Sequence, residues 1–235
     1  MFNEKEYIQI AIEKASRVLD FMNVDYELIV VDDASSDGSE KIIEDLAKYN
    51  DRIKVFHHKN NRKLGGALKT GFSKATKDII VYTDVDLPFD LSILKEAAFL
   101  IRETDIIQGY RIGSRESIMR VIYSKVYNSL IKFIFGLKIK DVNFSMKIFR
   151  RVILNHINLK SEGSFINAEF LIKSKNLGYK IKEIGVNYQL RGYGVSRLSS
   201  PGVILKILFE LIKLYPEVKK NSSKIQVRLD AINSV

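Results

Sequence analysis

Short apolar runs alternate with amphipathic segments through the first half of the chain, and this alternation constrains the fold more than any other feature. The runs that predict strands lie at residues 26–31, 52–57, 78–83 and 105–109. The segments that predict helices lie at residues 4–22, 39–48, 66–75 and 90–102. This order predicts an α/β fold with a mostly parallel sheet and helices on both faces.

The second half of the chain has a less regular pattern. It predicts helices at 117–135, 166–176 and 203–215, an element that begins within 147–154, and a strand-like segment at 179–189. A length of 235 residues favours a single domain of this class, which we expect to cover residues 1–215. Residues 216–235 are predicted to form a polar tail.

Composition excludes several classes of protein. The chain has no cysteine and three histidines, which excludes a disulfide framework, a thiolate zinc site and a cysteine nucleophile. No apolar stretch approaches the roughly 18 to 20 residues that span a bilayer, and no signal peptide is visible, so we expect a cytoplasmic protein. The net charge of +10 favours an anionic partner. Because no nucleic-acid-binding motif is present, we do not expect that partner to be nucleic acid.

A predicted strand ends in two carboxylates in the segment VVDDASSDGS, residues 30–39. Ligands of open parallel sheets bind beyond the carboxyl ends of the strands. We therefore expect the carboxylate of Asp33 to accept a hydrogen bond from a nucleobase or a ribose. For Ser36 and Asp37 we favour a different role, the capping of the helix that follows.

Adjacent glycines and three basic residues occur together in the segment NNRKLGGALKTGF, residues 60–72. Backbone N–H groups at the start of a helix, beside Arg62, Lys63 and Lys69, suit a phosphate. The spacing matches neither a Walker A motif nor a GxGxxG motif. A flexible turn with solvated charges is therefore an equal alternative.

Two aspartates end the third predicted strand in the segment TDVDLPFD, residues 83–90. Asp84 and Asp86 can converge on one divalent cation, with phosphate oxygens and water as the other ligands. Oxygen ligands favour Mg²⁺ or Mn²⁺. The alternative is a solvated acidic turn with Asp90 as a helix cap. We favour the cation, because like charges at the end of a buried strand are costly without a counter-ion.

The second half of the chain is rich in arginine and contains two acidic residues of interest. The arginines of interest are Arg111, Arg115, Arg120, Arg150, Arg151, Arg191 and Arg197. Arg120 and Ser124 share one helix face, which suits a phosphate, although a solvated face is the commoner explanation. Glu169 and Asp141 are candidates for a general base, for a partner of an arginine, or for exposed polar positions.

Together these motifs resemble those of family 2 glycosyltransferases, and most closely the dolichol-phosphate mannose synthase group, which glycosylates polyprenyl phosphates. The similarity covers roughly residues 2–200. The motifs follow the family's order: FNEKE, VVDDASSDGS, KLGGALKTGF, TDVDLPFD, GYR at 109–111, DVNFSMKIFRR at 141–151 and RGYGVSR at 191–197. Each motif is moderately specific, and their joint order is highly specific.

The resemblance implies a GT-A (Rossmann-like) fold, a nucleotide-diphosphate sugar (GDP- or UDP-linked) as donor, and Mg²⁺ or Mn²⁺ as cofactor. Metal ligands are implied at Asp84 and Asp86. Donor-binding residues are implied at Glu4, Asp33, Lys63, Asp84, Arg191, Ser196 and Arg197. The acceptor phosphate is expected at Arg111, Arg120 and Ser124. Catalytic roles are expected for Asp86, Glu169 and Asp141.

Three departures from the family pattern stand out. The strand that usually precedes the FNEKE segment is absent, and we expect the true start to lie upstream of Met1 rather than the chain to be a compromised fragment. Pro88 stands where some polyprenyl-phosphate enzymes supply a glutamine to the metal. The usual Ser-Gly-Phe segment reads FSMK at residues 144–147.

The expected function is that of an inverting glycosyltransferase that moves a sugar to a dolichyl or undecaprenyl phosphate. Residues 1–110 would form the donor half and residues 111–215 the acceptor half. The chain would lie peripherally on the cytoplasmic face of a membrane, held by helices 117–135 and 203–215 or by a membrane partner protein. Two alternatives stay open: an enzyme that glycosylates a saccharide or lipid-linked sugar hydroxyl, with Glu169 or Asp141 as base, and an inactive nucleotide-sugar-binding relic.

Overall fold

The computed structural model describes residues 1–113 and 118–189, together with Leu211, Lys213, Tyr215 and Pro216; the side chains of residues 118–120 lie outside this description. The helices are α1 Lys5–Phe21, α2 Ser39–Tyr49, α3 Lys63–Lys74, α4 Ile93–Leu100, α5 Ile118–Phe135 and α6 Ile166–Asn176. The strands are β1 Leu28–Asp32, β2 Ile53–His57, β3 Ile79–Tyr82, β4 Ile106–Ile112, β5 Lys147–Arg150 and β6 Ile181–Asn187. A 3-10 helix, Arg151–Asn155, follows β5. The predicted alternation is confirmed, and most of the helix predicted at 203–215 lies outside the described residues.

The described strands form two sheets. β1 and β2 pair in parallel, and the second sheet has the order β3-β5-β4-β6. Within the second sheet β4 and β6 are parallel, whereas β5 is antiparallel to both β3 and β4. The second sheet is therefore mixed, because the chain returns through β5. The apolar pattern at 147–154 did not distinguish this short strand from a helix.

Helices cover both faces of these sheets. On one face, Ile8 and Ile12 of α1 pack with Val30 of β1, and the side of α1 that carries Ala11 packs with α4. On the other face, Phe72 of α3 contacts Phe149 edge to face, with ring centroids 5.3 Å apart. Full burial of such a side chain contributes about 1.5–3 kcal/mol. The sheets thus hold the strand ends in fixed positions between two helical layers.

Candidate active site

A cavity of about 1830 Å³ opens at the carboxyl ends of β1 and β3 and extends to the end of β4. It also extends along both strands to Glu27, Leu28 and Ile79, so its volume includes more than the space at the strand ends. Seven of the residues predicted for the site line it: Glu4, Asp33, Lys63, Asp84, Asp86, Arg111 and Ser124. The structure therefore brings donor-side and acceptor-side residues to one space.

Asp33 is fixed in place by two neighbours on the next loop. Its Oδ1 atom accepts a hydrogen bond from Nδ1 of His58 at 2.7 Å and from the backbone N–H of Arg62 at 2.8 Å. The other ring nitrogen of His58 lies 2.8 Å from the hydroxyl of Thr70 on α3. The carboxylate at the end of β1 is thus held rigidly at the cavity wall.

The loop after β1 is tied to the start of the chain. Asp37 accepts hydrogen bonds from the backbone N–H of Lys5 and of Ser39, each at 3.0 Å. The N–H of Ser36 donates to the side-chain oxygen of Asn3 at 2.9 Å. Asp37 therefore supports the start of α2 from the position before its cap residue Gly38. Ser36 instead ties this loop to Asn3 through its backbone N–H.

Asp84 and Asp86 lie on a tight turn after β3. The backbone N–H of Leu87 donates to the carbonyl of Asp84 at 3.1 Å, and Leu87 adopts a φ of +45°. The hydroxyl of Tyr82 donates to Oδ1 of Asp84 at 3.2 Å. Burial, and then the negative charge of Asp86, raise the pKa of Asp84. The charge of Asp86 thus disfavours ionisation of Asp84.

A hard divalent cation fits this pair, because it would offset the two like charges and oxygen donors suit it. Among residues 1–113 and 118–189, no three His, Asp or Glu side chains form a group that could hold a metal. The chain would therefore supply two carboxylates, and Pro88 adds no side-chain ligand. The remaining positions would fall to the ligand's phosphate oxygens and to water.

A buried lysine lies behind the aspartates and was missed by the sequence reasoning. Nζ of Lys147 donates to the carbonyl of Phe144 at 2.7 Å and to that of Val142 at 3.3 Å. Burial lowers the pKa of Lys147 to about 7, against the opposing charges of Asp141 and Asp84. The only sequence signal was a charged residue at the head of the apolar run KIF.

On the acceptor side, Arg111 forms a two-point ion pair with Asp141. Nε lies 2.7 Å from Oδ2 and Nη2 lies 3.2 Å from Oδ1. The guanidinium carbon also lies 5.8 Å from the ring centre of Phe144 and 5.5 Å from that of Tyr188. These contacts hold a positive charge in the cavity wall and occupy both oxygens of Asp141.

Other predicted acceptor and loop residues divide into two groups. Ser124 lines the cavity, and the amide nitrogen of Asn128 donates to its hydroxyl at 3.4 Å. The side chain of Arg120 and the residues Arg115, Arg191, Ser196 and Arg197 lie outside the described part of the chain.

Glu169 lies apart from the aspartates, in the body of α6. It is fully buried, and its carboxylate accepts the backbone N–H groups of Lys160 at 2.9 Å and Ser161 at 2.8 Å. Nζ of Lys173 also donates a hydrogen bond to Oε1 of Glu169, at 2.6 Å. Glu169 does not line the cavity. Its geometry is that of a residue that anchors the loop before α6, and its expected catalytic role stays a prediction.

The two glycines at the start of α3 have a packing role. The N–H of Gly65 donates to the carbonyl of Glu162 at 2.8 Å, and a Cβ at Gly65 would collide with the carbonyl of Ser161. Glu162 also forms ion pairs with Arg62 and Lys69. These contacts account for the glycines and for two of the three cations. Lys63, the third cation of this segment, is exposed and lines the cavity.

Two asparagines in the cavity wall also escaped the sequence reasoning. The side-chain oxygens of Asn143 and Asn167 are buried and accept no hydrogen bond from the described residues. Both residues line the cavity. An amide oxygen in this position can accept from a ligand hydroxyl. Single amides carry no spacing signal, so only the folded arrangement shows them.

The fold places the strand-end aspartates in one cavity of an α/β protein, and comparison with known proteins gives the family of the chain. Residues 1–157 match the model of Glycosyl transferase family 2. The chain belongs to this family, which confirms the resemblance of its motifs.

Three curated relatives are about a quarter identical to the chain over the aligned residues. Glycosyltransferase AglD of Haloferax volcanii is 28% identical over 81% of this chain and 32% of its own length. Polyprenol monophosphomannose synthase of Mycolicibacterium smegmatis is 26% identical over 86% and 80%. Undecaprenyl-phosphate 4-deoxy-4-formamido-L-arabinose transferase of Aeromonas hydrophila is 26% identical over 90% and 64%. The chain thus spans only part of the first and third of these proteins.

Solved structures confirm the expected GT-A fold. Mannosyl-3-phosphoglycerate synthase from Rubrobacter xylanophilus superimposes with a TM-score of 0.70 at 13% identity, covering 93% of this chain and 73% of its own. Glucosyl-3-phosphoglycerate synthase from Mycobacterium tuberculosis, in complex with Mn²⁺, UDP and phosphoglyceric acid, gives 0.67 at 18% identity, covering 92% and 76%. Within the described residues, no helix has the length and apolar character needed to cross a bilayer.

Proposed function

We propose that this chain transfers a sugar from a nucleotide-diphosphate sugar to a polyprenyl phosphate, with inversion at the anomeric carbon. The observation that carries the proposal is that the aspartate pair Asp84 and Asp86 shares one cavity with the held guanidinium of Arg111. Two relatives are named for polyprenol and undecaprenyl-phosphate substrates. A structural neighbour was crystallised with UDP and Mn²⁺.

On the donor side, the chain binds and orients the nucleotide. Asp33 offers a fixed acceptor for a ribose or base, and Lys63 offers a cation for the diphosphate. A Mg²⁺ or Mn²⁺ ion held by Asp84 and Asp86 would neutralise the charge that develops on the departing nucleotide. Fixed dipoles and charges of this kind lower the barrier because they need no reorganisation during the reaction.

The acceptor side favours a phosphate over a sugar hydroxyl. A sugar hydroxyl needs a carboxylate base within hydrogen-bond reach. Here both oxygens of Asp141 are held by Arg111, and Glu169 is buried outside the cavity. A phosphate monoester has a second pKa of about 6, so it is already ionised at neutral pH. It needs a positive charge to position it, which Arg111 supplies.

Helix α5 presents a surface that suits a membrane. Ile122, Val126 and Phe133 are 45%, 62% and 89% exposed on its outer side. Lys125 and Lys132 are exposed beside them. Apolar and basic side chains on one helix surface favour the interface of an anionic bilayer. We infer that this surface brings the cavity to a lipid-borne acceptor.

Transfer of label into lipid tests the proposed function. The chain is incubated with a radiolabelled GDP- or UDP-sugar, Mn²⁺ and undecaprenyl phosphate, and label is counted in the organic phase. We expect lipid-linked label from the unaltered chain and at least a hundredfold less from the Asp84→Asn, Asp86→Asn double variant. Asp51→Asn, which changes an exposed aspartate, is the matched control. Label that enters only water-soluble saccharides, or a double variant with full activity, contradicts the proposal.

A further inference from the structure

Lys147 lies within the mixed sheet, between the strands that lead to the two halves of the site. It is the first residue of β5 and pairs with Tyr82 of β3 on one side and with Gln108 of β4 on the other. β3 leads to Asp84, and β4 carries Arg111. Lys147 is 2% exposed and does not line the cavity. Its side chain therefore acts on its protein neighbours.

Lys147 and Gln108 together hold the backbone of the turn that leads into β5, residues 141–145. Nζ of Lys147 donates to the carbonyl of Phe144 at 2.7 Å and to the carbonyl two residues earlier at 3.3 Å. The side-chain amide of Gln108, which is fully buried, donates to the carbonyl of Asp141 at 3.0 Å and to that of Phe144 at 3.3 Å. Buried carbonyls without a donor are unfavourable. The two side chains therefore fix the backbone of this turn.

The side chains of the 141–145 turn reach both halves of the site. Asp141, at its start, forms the two-point ion pair with Arg111. Ser145, at its end, donates a hydrogen bond from its hydroxyl to the carboxylate of Asp84. Between them, the ring centre of Phe144 lies 5.8 Å from the guanidinium carbon of Arg111. The position of this turn therefore affects both the acceptor-side cation and a carboxylate of the aspartate pair.

The charge of Lys147 is also shared between the two halves. The ammonium is attracted by the carboxylates of Asp141 and Asp84. It lies 5.5 Å from the ring centre of Tyr82, whose hydroxyl donates to Asp84. Burial of an ammonium is costly, and a methionine would fill a similar space without that cost. The contacts that offset the cost lead to the 141–145 turn and to Asp84.

We propose that Lys147 is a positioning residue, which holds the 141–145 turn where its two ends reach Asp84 and Arg111. Through this turn, Lys147 sets the affinity for the metal-bound nucleotide and the affinity for the acceptor phosphate together. The consequence for these ligands rests on the proposed function, whereas the placement of the turn does not.

A matched chemical pair tests this proposal, because the chain has no cysteine of its own. A Lys147→Cys variant is alkylated in urea with either bromoethylamine or propyl iodide and is then refolded. The two side chains have the same length and differ only in ending with an ammonium or a methyl group. If either form does not refold, Lys147→Met is compared with the unaltered chain in the same measurements.

The first measurement is hydrogen exchange at the amide of Val142, which donates to Asn128 from within the turn. We expect this amide to exchange as slowly in the aminoethyl form as in the unaltered chain, and at least about tenfold faster in the propyl form. Equal exchange in the two forms overturns the proposal. This comparison needs no substrate, so it decides the placement of the turn even if no sugar is transferred to lipid. Failure of that transfer counts against the proposed function alone.

The second measurement is ligand affinity. We expect the propyl form to bind UDP with Mn²⁺ about tenfold more weakly by calorimetry, and to have an about tenfold higher KM for undecaprenyl phosphate with a smaller change in kcat. Ile153→Val trims a buried side chain that does not line the cavity, and it controls for a general loss of stability. Faster exchange at Val142 with unchanged affinity for UDP and Mn²⁺ would also overturn the proposal.

A double-mutant cycle tests the route through the turn. Lys147→Met and Ser145→Ala should not be additive, because both interrupt the same connection to Asp84. We expect the double variant to bind UDP with Mn²⁺ within about twofold of the weaker single variant. Fully additive losses would mean that Lys147 acts on the metal without the turn, which contradicts the proposal.

Discussion

The guanidinium of Arg111 holds both carboxylate oxygens of Asp141, with Nε 2.7 Å from Oδ2 and Nη2 3.2 Å from Oδ1. Arg111 lies on β4, and Asp141 lies in the segment that leads into β5, the strand paired with β4. The ion pair therefore fixes the guanidinium of Arg111 at the cavity wall, through β4 and through the segment before β5. We expect Asp141 to act through Arg111, as a positioning residue.

Replacement of Asp141 by asparagine tests this positioning role. Asp141→Asn keeps the shape but removes the charge, and a hydrogen bond to a charged group contributes about 1.5–3 kcal/mol. We expect the KM for polyprenyl phosphate to rise about tenfold or more, with a smaller loss in kcat. Steady-state kinetics at varied acceptor concentration measure the split. A kcat loss of several hundredfold at unchanged KM, together with loss of the basic limb of the pH profile, would instead identify Asp141 as a general base.

The two like charges of Asp84 and Asp86 predict that the metal-free protein is stabilised by removing one of them. The pKa of Asp84 is raised in the folded state, so its ionisation opposes folding, and stability rises as pH falls from neutral through that raised pKa. In EDTA at pH 7 we expect Asp84→Asn to melt a few degrees higher than the unaltered chain, and we expect the difference to shrink at lower pH.

If Asp84 and Asp86 hold the cation, the unaltered chain is expected to melt at a higher temperature than Asp84→Asn once Mn²⁺ and UDP are added. Binding to the folded state raises the melting temperature of the unaltered chain, and Asp84→Asn gains little. Asp51→Asn is the control and follows the unaltered chain in both conditions. A lower melting temperature for Asp84→Asn in EDTA would contradict the charge argument.

Glu169 is predicted to be needed for folding because of its buried pair with Lys173. Glu169→Ala leaves the ammonium of Lys173 without its carboxylate, which costs about 3–5 kcal/mol. Urea unfolding measures this loss. Glu169→Gln with Lys173→Met removes both charges and is expected to recover part of the stability. If Glu169 acts on substrate, the double variant will fold well and still lose at least about a hundredfold in kcat.

Two glycines of α3 allow substitutions that are expected to change the free energy of unfolding in opposite directions. Gly65→Ala drives a methyl group into the carbonyl of Ser161 and is expected to cost about 1–3 kcal/mol. Gly71→Ala, on the same helix, places its Cβ 3.5 Å from a methyl of Val31, an ordinary contact. It is expected to gain about 0.5–1 kcal/mol because alanine favours helices. Equal effects in thermal unfolding would show that close packing is not the role of Gly65.

The outer surface of α5 is predicted to bind anionic vesicles. Phe133→Glu places a negative charge on this surface and removes its most exposed aromatic ring. We expect cosedimentation with phosphatidylglycerol vesicles to fall at least about fivefold, since apolar insertion and charge attraction are both weakened. Tyr49→Glu on α2 changes an equally exposed aromatic residue and serves as the control. Equal losses in the two variants would mean that net charge, and not α5, governs binding.

Local pattern predicted most of the elements, because helix and strand periodicity depend on neighbouring residues. The segment 166–176 was predicted as a helix, and α6 spans Ile166–Asn176. The partners of Asp141 and Asp33 could not be predicted, because Arg111 and His58 lie 30 and 25 residues away along the chain. Lys173 is four residues from Glu169, so this contact did have a local signal, and its spacing was overlooked.

The unpaired gap between β1 and β3 has a mechanical consequence for the ligand. Asp33 follows a strand of one sheet and Asp84 follows a strand of the other, and these two strands do not pair with each other. A nucleotide that touches both residues would act as a cross-brace between the sheets. Binding of the nucleotide would then make the connection between the two sheets stiffer. Conversely, any change that stiffens this connection would also change the affinity for the donor.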